Sequence, residues 1–437
     1  MRRRRADRPA GRSSGRIVEL DITALGQQGD GLASFDGQSV FVAFALPGER
    51  VLARLEGPKG SGLAATVLDV VVAAADRVAP PCPHFGRCGG CALQHLGAES
   101  YGQWKRDLLV TALGRIGQPA ELVAPLIAIA AGTRRRASFT FRRQRGKLVI
   151  GFNARASHDV VPLEQCSLLA APLTALLPSL ATALASIDAP SGDVVVTLTD
   201  SGLDVLVACD ARLDLFGHQR LAAFADAADL ARLSWRGAGG GVAEPLVCRR
   251  QPRLMLGGVA VEPPPGAFLQ PSVEGERALV ELVVAAVGDG GAVADLFAGA
   301  GSFTFPLAKG RAVHAVDGDI GAVRALQAAA TGLRITAEHR DLARRPLAGA
   351  ELRRFDAVVF DPPRAGAVAQ AEALAADGPA RVVAVSCNPA TLARDAQILL
   401  EGGYRLETVT PVDQFAWSPH LEAVALFTRN SPVSAPP

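Results

Sequence analysis

The chain has 437 residues, of which 49% are hydrophobic and 20% charged, with a net charge of +2. That is a globular balance, long enough for about two to four domains, and any nucleic-acid surface must be a local patch rather than a global field. Asp69 breaks the longest apolar run, and the arginine-rich N-terminus precedes no apolar signal core, so neither a membrane span nor secretion is expected.

Residues 1–15 lack any apolar anchor and read as a disordered basic tail, more naturally a solvated terminus than a phosphate contact. Across 16–73, alternating segments at Arg16–Ile22, Gln38–Ala43, Glu49–Arg54 and Ala64–Val70 are separated by Gly-rich turns. This spacing predicts a small OB-like β-barrel. Such barrels commonly bind RNA, but a barrel alone specifies no ligand.

Next come Cys82, Cys88 and Cys91 on a Gly/Pro-rich stretch, with Cys166 far downstream. Thiols this unevenly spaced, in a chain without a signal core, read as reduced cysteines or metal ligands of a cytoplasmic protein. Four thiolates suit tetrahedral zinc or a [4Fe–4S] cluster, and the pattern leaves both open. Cys209 and Cys248 read as core thiols.

The middle of the chain mixes expected helices, Ala170–Ser186 and His218–Leu233, with strands at Arg136–Arg142, Leu148–Phe152, Asp193–Thr199 and Leu203–Ala208. That is an α+β pattern. Basic groups cluster at Arg134–Arg136, Arg142 and Arg143, with Arg145 and Lys147, and alternation puts some arginines on one strand face and Phe139 and Phe141 on the other, for phosphates or simply for water. From 266 onward, strands at Ala292–Phe297, Arg311–Val316, Ala357–Phe360 and Val382–Val385 alternate with helices. The fold class is therefore α/β multidomain, with a C-terminal doubly wound, Rossmann-like sheet.

Three features of that sheet carry chemistry. Asp295 ends a strand and enters the small-residue turn Gly299-Ala-Gly301, while Asp317 ends the next strand about 20 residues on. The turn lets a ligand approach the backbone, and the second acid is placed for ribose hydroxyls. The missing third glycine suits S-adenosylmethionine at least as well as NAD. Asp361-Pro362-Pro363-Arg364 holds a carboxylate at the end of a third strand. The non-aromatic fourth residue leaves room for chemistry on a ring carbon rather than an exocyclic amine.

Cys387 follows a fourth strand, in Ser386-Cys387-Asn388-Pro389. Taken by its position, it is a buried structural thiol or a nucleophile. Thiolate addition to C6 of uracil makes C5 nucleophilic toward a methyl donor, and a base must then remove the C5 proton. His420 and Glu422 are the candidate bases.

Asp-Leu-Phe-x-Gly-x-Gly-x-Phe at 295–303, Asp-Pro-Pro-Arg-x-Gly at 361–366, Ser-Cys-Asn-Pro-x-Thr-x-x-Arg-Asp at 386–395 and His-x-Glu at 420–422 resemble the RNA uridine-5-methyltransferase family. The likeness covers essentially residues 16–427. It implies Cys387 as nucleophile and Glu422 as base. Gln270 (in a Phe-x-Gln segment), Phe297, Asp317, Asp341 and Asp361 would be cofactor-site residues for S-adenosylmethionine. Ser272 stands where asparagine is usual, and Asp317 where most members have glutamate.

The resemblance makes 16–73 a TRAM domain, 74–265 a central domain, and 266–437 the methyltransferase domain. It also makes Cys82, Cys88, Cys91 and Cys166 the ligands of a [4Fe–4S] cluster. The favoured substrate is 23S rRNA, with tRNA as the alternative, and no obligate protein partner is implied. A base N-methyltransferase or a non-catalytic RNA-binding iron–sulfur protein are the rival classes.

Overall fold

The structure is a computed structural model describing residues 15–237 and 240–429. Apart from Gly15, the expected basic tail lies outside the described residues. The chain divides into two compact units, one running up to Trp104 together with Trp417–Pro419, the other comprising Lys105–Ala416 and the chain from His420.

The first unit is built on β1 (Ile17–Asp21), β2 (Ala24–Leu25), β3 (Gly31–Phe35), β4 (Gln38–Ala43), β5 (Arg50–Lys59) and β6 (Gly62–Val72). Period-two alternation decides which residues face in: β1 buries Val18 and Leu20 and exposes its other three. Val40, Val42, Val51, Ala53 and Leu55 are fully buried. The sheet order is β1-β5-β6-β4-β3-β2. The expected barrel is thus a six-stranded sheet whose end strands do not pair with each other. With two residues, β2 is too short to close it.

The cysteine-rich loop packs on this sheet through Leu46, Leu93 and Leu96. Arg77 donates to Glu49 Oε2 and to the Phe44 carbonyl, both at 2.8 Å.

Helix α1 (Ala98–Gly114) sends Leu109 and Leu113 into the core of the second unit. There β7 (Ile127–Ala128) precedes β8 (Arg136–Gln144), β9 (Lys147–Asn153), β10 (Val160–Pro162) and α2 (Ala171–Ala185). Then come β11 (Ser191–Thr199), β12 (Gly202–Ala208), α3 (Leu215–Ala227), β13 (Arg232–Arg236) and β14 (Glu244–Cys248). Seven of these strands form one sheet, β10-β9-β8-β11-β12-β13-β14.

Phe139 and Phe141 face inward from β8, as alternation requires. The helix expected over His218–Leu233 ends early. Asp214 caps its start, Asp229 turns left-handed at φ 49°, and Arg232 already belongs to a strand. Cys209 is buried, but Cys248 ends the edge strand β14 and is exposed, which corrects its reading as a core thiol.

A hairpin, β15 (Leu254–Leu256) and β16 (Val259–Val261), leads to α4 (Val273–Val287), β17 (Val293–Leu296), α5 (Thr304–Leu307) and β18 (Val313–Asp317). The chain continues with α6 (Ile320–Ala329), β19 (Ile335–His339), β20 (Ala357–Phe360) and α7 (Val368–Asp377). It closes with β21 (Arg381–Ser386), α8 (Pro389–Glu401), β22 (Arg405–Asp413) and β23 (Glu422–Thr428). The sheet order is β19-β18-β17-β20-β21-β23-β22-β7.

Its first five strands are parallel, and β23 runs antiparallel beside β21. Helices cover both faces, so β17, β20 and β21 are near-continuous apolar runs. No helix among the described residues is long and apolar enough to cross a membrane.

Lys105 of α1 is fully buried, and its Nζ donates to Asp413 Oδ1 at 2.8 Å, to the Phe415 carbonyl at 3.5 Å and to the His420 carbonyl. It pins the segment between β22 and β23. Removing one partner of a buried pair leaves an uncompensated charge, at a cost of about 3–5 kcal/mol. Lys105→Met is therefore expected to lose that much stability in denaturant unfolding, and adding Asp413→Asn should recover part of the loss.

Candidate active site

The direction of strand order reverses between β17 and β20, which opens a crevice at the carboxyl ends of the parallel strands. A cavity of about 610 Å³ lies there. Its wall includes Gln270, Phe297, Gly299, Asp317, Asp341, Asp361, Arg364, Cys387 and Glu422. Phe297 and Asp361 directly follow β17 and β20, Asp317 ends β18, and Asp341 lies just past β19. Cys387 follows β21. Glu422 opens β23, whose antiparallel direction brings its first residue to the rim where the parallel strands end.

The turn after β17 is shaped by left-handed backbone at Phe297 (φ 62°), Gly299 (φ 55°) and Gly301 (φ 104°). A Cβ at Gly301 would come within 2.6 Å of the Phe305 ring. A phenylalanine held at positive φ is uncommon and marks a turn fixed by its surroundings. Asp317 helps fix it, because its carboxylate accepts from Gly299 N at 2.8 Å and from Asp319 N at 2.7 Å. Asp295 sits beneath, fully buried, accepting from Thr304 Oγ1 at 2.5 Å through one oxygen and leaving the other without a partner. Burial, opposed by that hydrogen bond, pushes its carboxyl up to about 7.

The motif around Cys387 is mostly scaffold for the loop that follows Asp361. Asn388 caps α8 by accepting from Ala390 N at 3.1 Å, and it donates to the Arg364 carbonyl at 3.2 Å. Thr391 donates to the same carbonyl at 3.4 Å. Arg394 donates to the Ala365 carbonyl at 2.9 Å, and Asp395 accepts from Ala367 N at 2.8 Å. Gly366 is left-handed (φ 77°), and a Cβ there would lie 2.3 Å from the Arg394 guanidinium. These contacts lock Asp361 and Cys387 to one another.

The electrostatics follow from burying acids together. Glu422 is 4% exposed with Oε2 unpartnered, and burial and then Asp361 push its carboxyl up to about 8, against a hydrogen bond from Gln414. Asp361 is raised to about 7 by burial and by Asp317. Burial, then Glu422 and Asp361, push the Cys387 thiol up to about 11, while Arg364 opposes them. His420, the other candidate base, is pushed down to about 4 by burial and by Arg364, Lys105 and Arg134, which leaves a neutral, weakly basic ring at pH 7.

Several groups around the site gave no sequence signal for the part they play there. Arg135 donates to the Gln270 carbonyl at 3.2 Å and pairs with Glu276 at 3.0 Å. Arg136 donates to the carbonyls of Ala267 and Gly266. Two arginines read as phosphate candidates are thus spent holding the 266–270 segment. Gln414, one residue beyond β22, is also new. It donates to Gln270 Oε1 at 2.6 Å.

Cys82, Cys88, Cys91 and Cys166 are each half-buried. Gly90 N donates to Cys88 Sγ at 3.4 Å, and Cys82 N to Gln94 Oε1 at 3.1 Å, so one backbone amide of this loop faces a sulfur. Among the described residues, no three Cys, His, Asp or Glu side chains stand together as a metal site.

A doubly wound sheet with a glycine turn, an acid ending the next strand and a switch-point cavity of this size suits a nucleotide-like ligand. A family model described as tRNA (uracil-5-)-methyltransferase matches residues 259–430, and a TRAM domain model matches 11–67. The chain is similar, at 44% identity, to an uncharacterised RNA methyltransferase of Mesorhizobium japonicum, over 94% of this chain and 98% of that one. It is 38% identical to a 23S rRNA (uracil(1939)-C(5))-methyltransferase of Pseudomonas entomophila, over 94% of each.

In fold it matches the Pyrococcus abyssi tRNA (uracil-54, C5)-methyltransferase in complex with S-adenosyl-L-homocysteine. The TM-score is 0.72 at 22% identity, over 94% of this chain and all of that one. The chain belongs to the RNA uracil-5-methyltransferase family, and it is an enzyme that takes S-adenosylmethionine and acts on RNA.

A raised Cys387 leaves its thiol protonated at neutral pH in the unliganded protein, so the thiolate should appear only as pH rises toward about 11. Mass-spectrometric measurement of iodoacetamide labelling at Cys387 should show a rate that climbs throughout pH 7–10. Glu422→Gln removes one of the repelling carboxyls and should shift the climb to lower pH. A plateau already reached near pH 8 in the unsubstituted protein would contradict the assignment.

Proposed function

We propose that the protein methylates C5 of uridine in RNA, with Cys387 as nucleophile and Glu422 as base. The observation that carries this is that a thiol and a buried, proton-hungry carboxyl line one cavity with the glycine turn after β17. The Cys387 thiolate adds to C6 of a uracil drawn out of its stack, and the electron pair moves to C5 and O4 as an enolate. S-adenosylmethionine, when bound among Gln270, Phe297, Asp317, Asp341 and Asp361, supplies the electrophilic methyl group that C5 acquires. Ionised Glu422 then takes the C5 proton. The C5–C6 double bond re-forms, and the C6–S bond breaks to return the Cys387 thiolate. Each carboxyl has a distinct part: Asp361 keeps Glu422 basic, and Glu422 closes the cycle.

The favoured substrate is 23S rRNA, because the relative that is 38% identical over nearly the whole chain carries that activity in its name. The alternative is tRNA, the substrate named in the family description and in the Pyrococcus abyssi enzyme. We assign residues 16–73 to the TRAM domain, 74–265 to a central domain and 266–437 to catalysis, in a cytoplasmic protein. Cys82, Cys88, Cys91 and Cys166 are assigned as ligands of a [4Fe–4S] cluster with a structural role, since methyl transfer moves no net electron. Their soft thiolates and the Gly90 amide suit such a cluster.

RNA containing 5-fluorouridine has no C5 proton to lose, so it should trap a covalent complex with the unsubstituted enzyme that survives denaturing electrophoresis. Cys387→Ala should form none, and an adduct there would remove Cys387 from its role. Glu422→Gln should form the adduct with ordinary uridine RNA and release it slowly. Offering 23S rRNA and tRNA transcripts with labelled methyl donor decides the substrate. Iron and sulfide analysis of anaerobically purified protein should find both elements, and Cys88→Ser should lose them. Zinc in their place would overturn the cluster.

A further inference from the structure

Behind the cavity wall, buried amides join the two carboxyls. Gln414 is 6% exposed and Gln270 is 3% exposed. Gln414 Nε2 donates to Gln270 Oε1 at 2.6 Å, and Gln270 Nε2 faces Asp361 Oδ2 at 3.4 Å. Gln414 also hydrogen-bonds the Glu422 carboxyl. The Gln270 amino group faces Asp361 across the longer of the two bonds, and its oxygen faces away. That oxygen then requires a donor, and Gln414 supplies it.

The room for Gln414 is built in. A Cβ at Gly275, in the first turn of α4, would lie 2.4 Å from Gln414 Oε1, 2.8 Å from the capping Ser272 Oγ and 2.9 Å from Gln414 Cβ. The Gln270 backbone is held separately, by Arg135 at its carbonyl. Gln270 therefore has a fixed backbone and a side-chain amide whose direction depends on Gln414.

We infer that Gln414 is a positioning residue that locks Gln270 as a hydrogen-bond donor toward the cavity, so that the site accepts a base carrying a carbonyl at C4 and rejects one carrying an amine. This rests on the proposed uridine reading. Uracil presents O4 as an acceptor, and negative charge collects on that oxygen when the thiolate adds to C6, so a fixed donor serves both recognition and the addition step. Cytosine presents an amine there, donor against donor. Without Gln414 the Gln270 amide can turn over and offer its oxygen to that amine.

The test uses the full-length enzyme, an unmodified 23S rRNA transcript and the same transcript with cytidine at the methylated position. 5-Methyluridine and 5-methylcytidine are counted by mass spectrometry of the digested RNA. Gln414→Met removes the donor. Gly275→Ala keeps every donor and displaces the Gln414 amide from the opposite side. Both should lower kcat on the uridine transcript about tenfold or more, with KM for RNA and for S-adenosylmethionine held, and both should narrow the preference for uridine over cytidine about tenfold or more.

Wild-type preference in either folded variant overturns the inference, because a merely structural glutamine would cost rate or stability without changing which base is accepted. If the unsubstituted enzyme forms no adduct with 5-fluorouridine RNA, the uridine reading itself falls and takes the inference with it. An adduct there, beside unchanged preference in the variants, sinks the role of Gln414 alone.

Discussion

The active site is governed by the repulsion of acids confined to one poorly solvated cavity. Asp361 and Glu422 share a wall with the Cys387 thiol, and each would gain by ionising only if the others did not. At a few ångström and an effective dielectric near 20, two like charges repel by about 4 kcal/mol, equivalent to about three pH units. That is enough to keep protons on the unliganded site at neutral pH. The directions agree: Glu422 raises Cys387, and Asp361 raises both. The proposed mechanism uses these groups in turn, since it needs the thiolate at the start and the carboxylate after the methyl has moved. A positive methyl donor among the acids favours their ionised forms. The ordering of the reaction is therefore linked to the order in which the cavity fills.

Such repulsion is tolerable only if the groups cannot drift apart, and most of the surrounding sequence is spent on that. Asn388, Thr391, Arg394 and Asp395 clamp residues 364–367. Lys105 ties down the segment that leads into Glu422. Arg135 and Arg136 hold the strip bearing Gln270. A motif of ten residues, Ser386–Asp395, thus contains the proposed nucleophile and four restraints on the neighbouring loop. Such a block points to its function so sharply because each restraint is shaped to a particular carbonyl or amide.

Much of this was legible in the chain beforehand. Apolar runs ending in Asp317, Asp361 and Cys387 placed three groups on one rim, because a parallel strand fixes which end meets the crevice; Asp295, read as ending its strand, lies within β17 and beneath the turn instead. Glu422 was legible as an acid opening an apolar strand; its arrival at the same rim depends on β23 running antiparallel, which no local pattern encodes. Gln414, Arg135 and Lys105 were not legible, because their partners are distant in sequence: 144 residues for Gln414 and Gln270, 308 for Lys105 and Asp413. The helix end at Ala227 was misread because the apolar period runs on through Leu230 and Leu233, and the left-handed turn at Asp229 outweighs it. Closure of the N-terminal barrel failed for a similar reason. Alternation predicts strands, but pairing between the first and last strands of a sheet depends on their lengths.

The arginines also change meaning once the fold is known. With a net charge of +2, attraction for RNA must come from particular exposed cations rather than from the whole surface. Arg135 and Arg136 make backbone and ion-pair contacts within the fold, and Arg143 donates to the carbonyls of Ala185 and Ile187. Exposed without such contacts is the turn between β8 and β9, with Arg145 held left-handed (φ 50°) beside Gly146, and Lys147 following. The turn itself carries one cation, Arg145, and Lys147 opens β9 directly after it. The same basic stretch is thus divided, its first half bracing the strip that bears Gln270 and its tip standing in solvent.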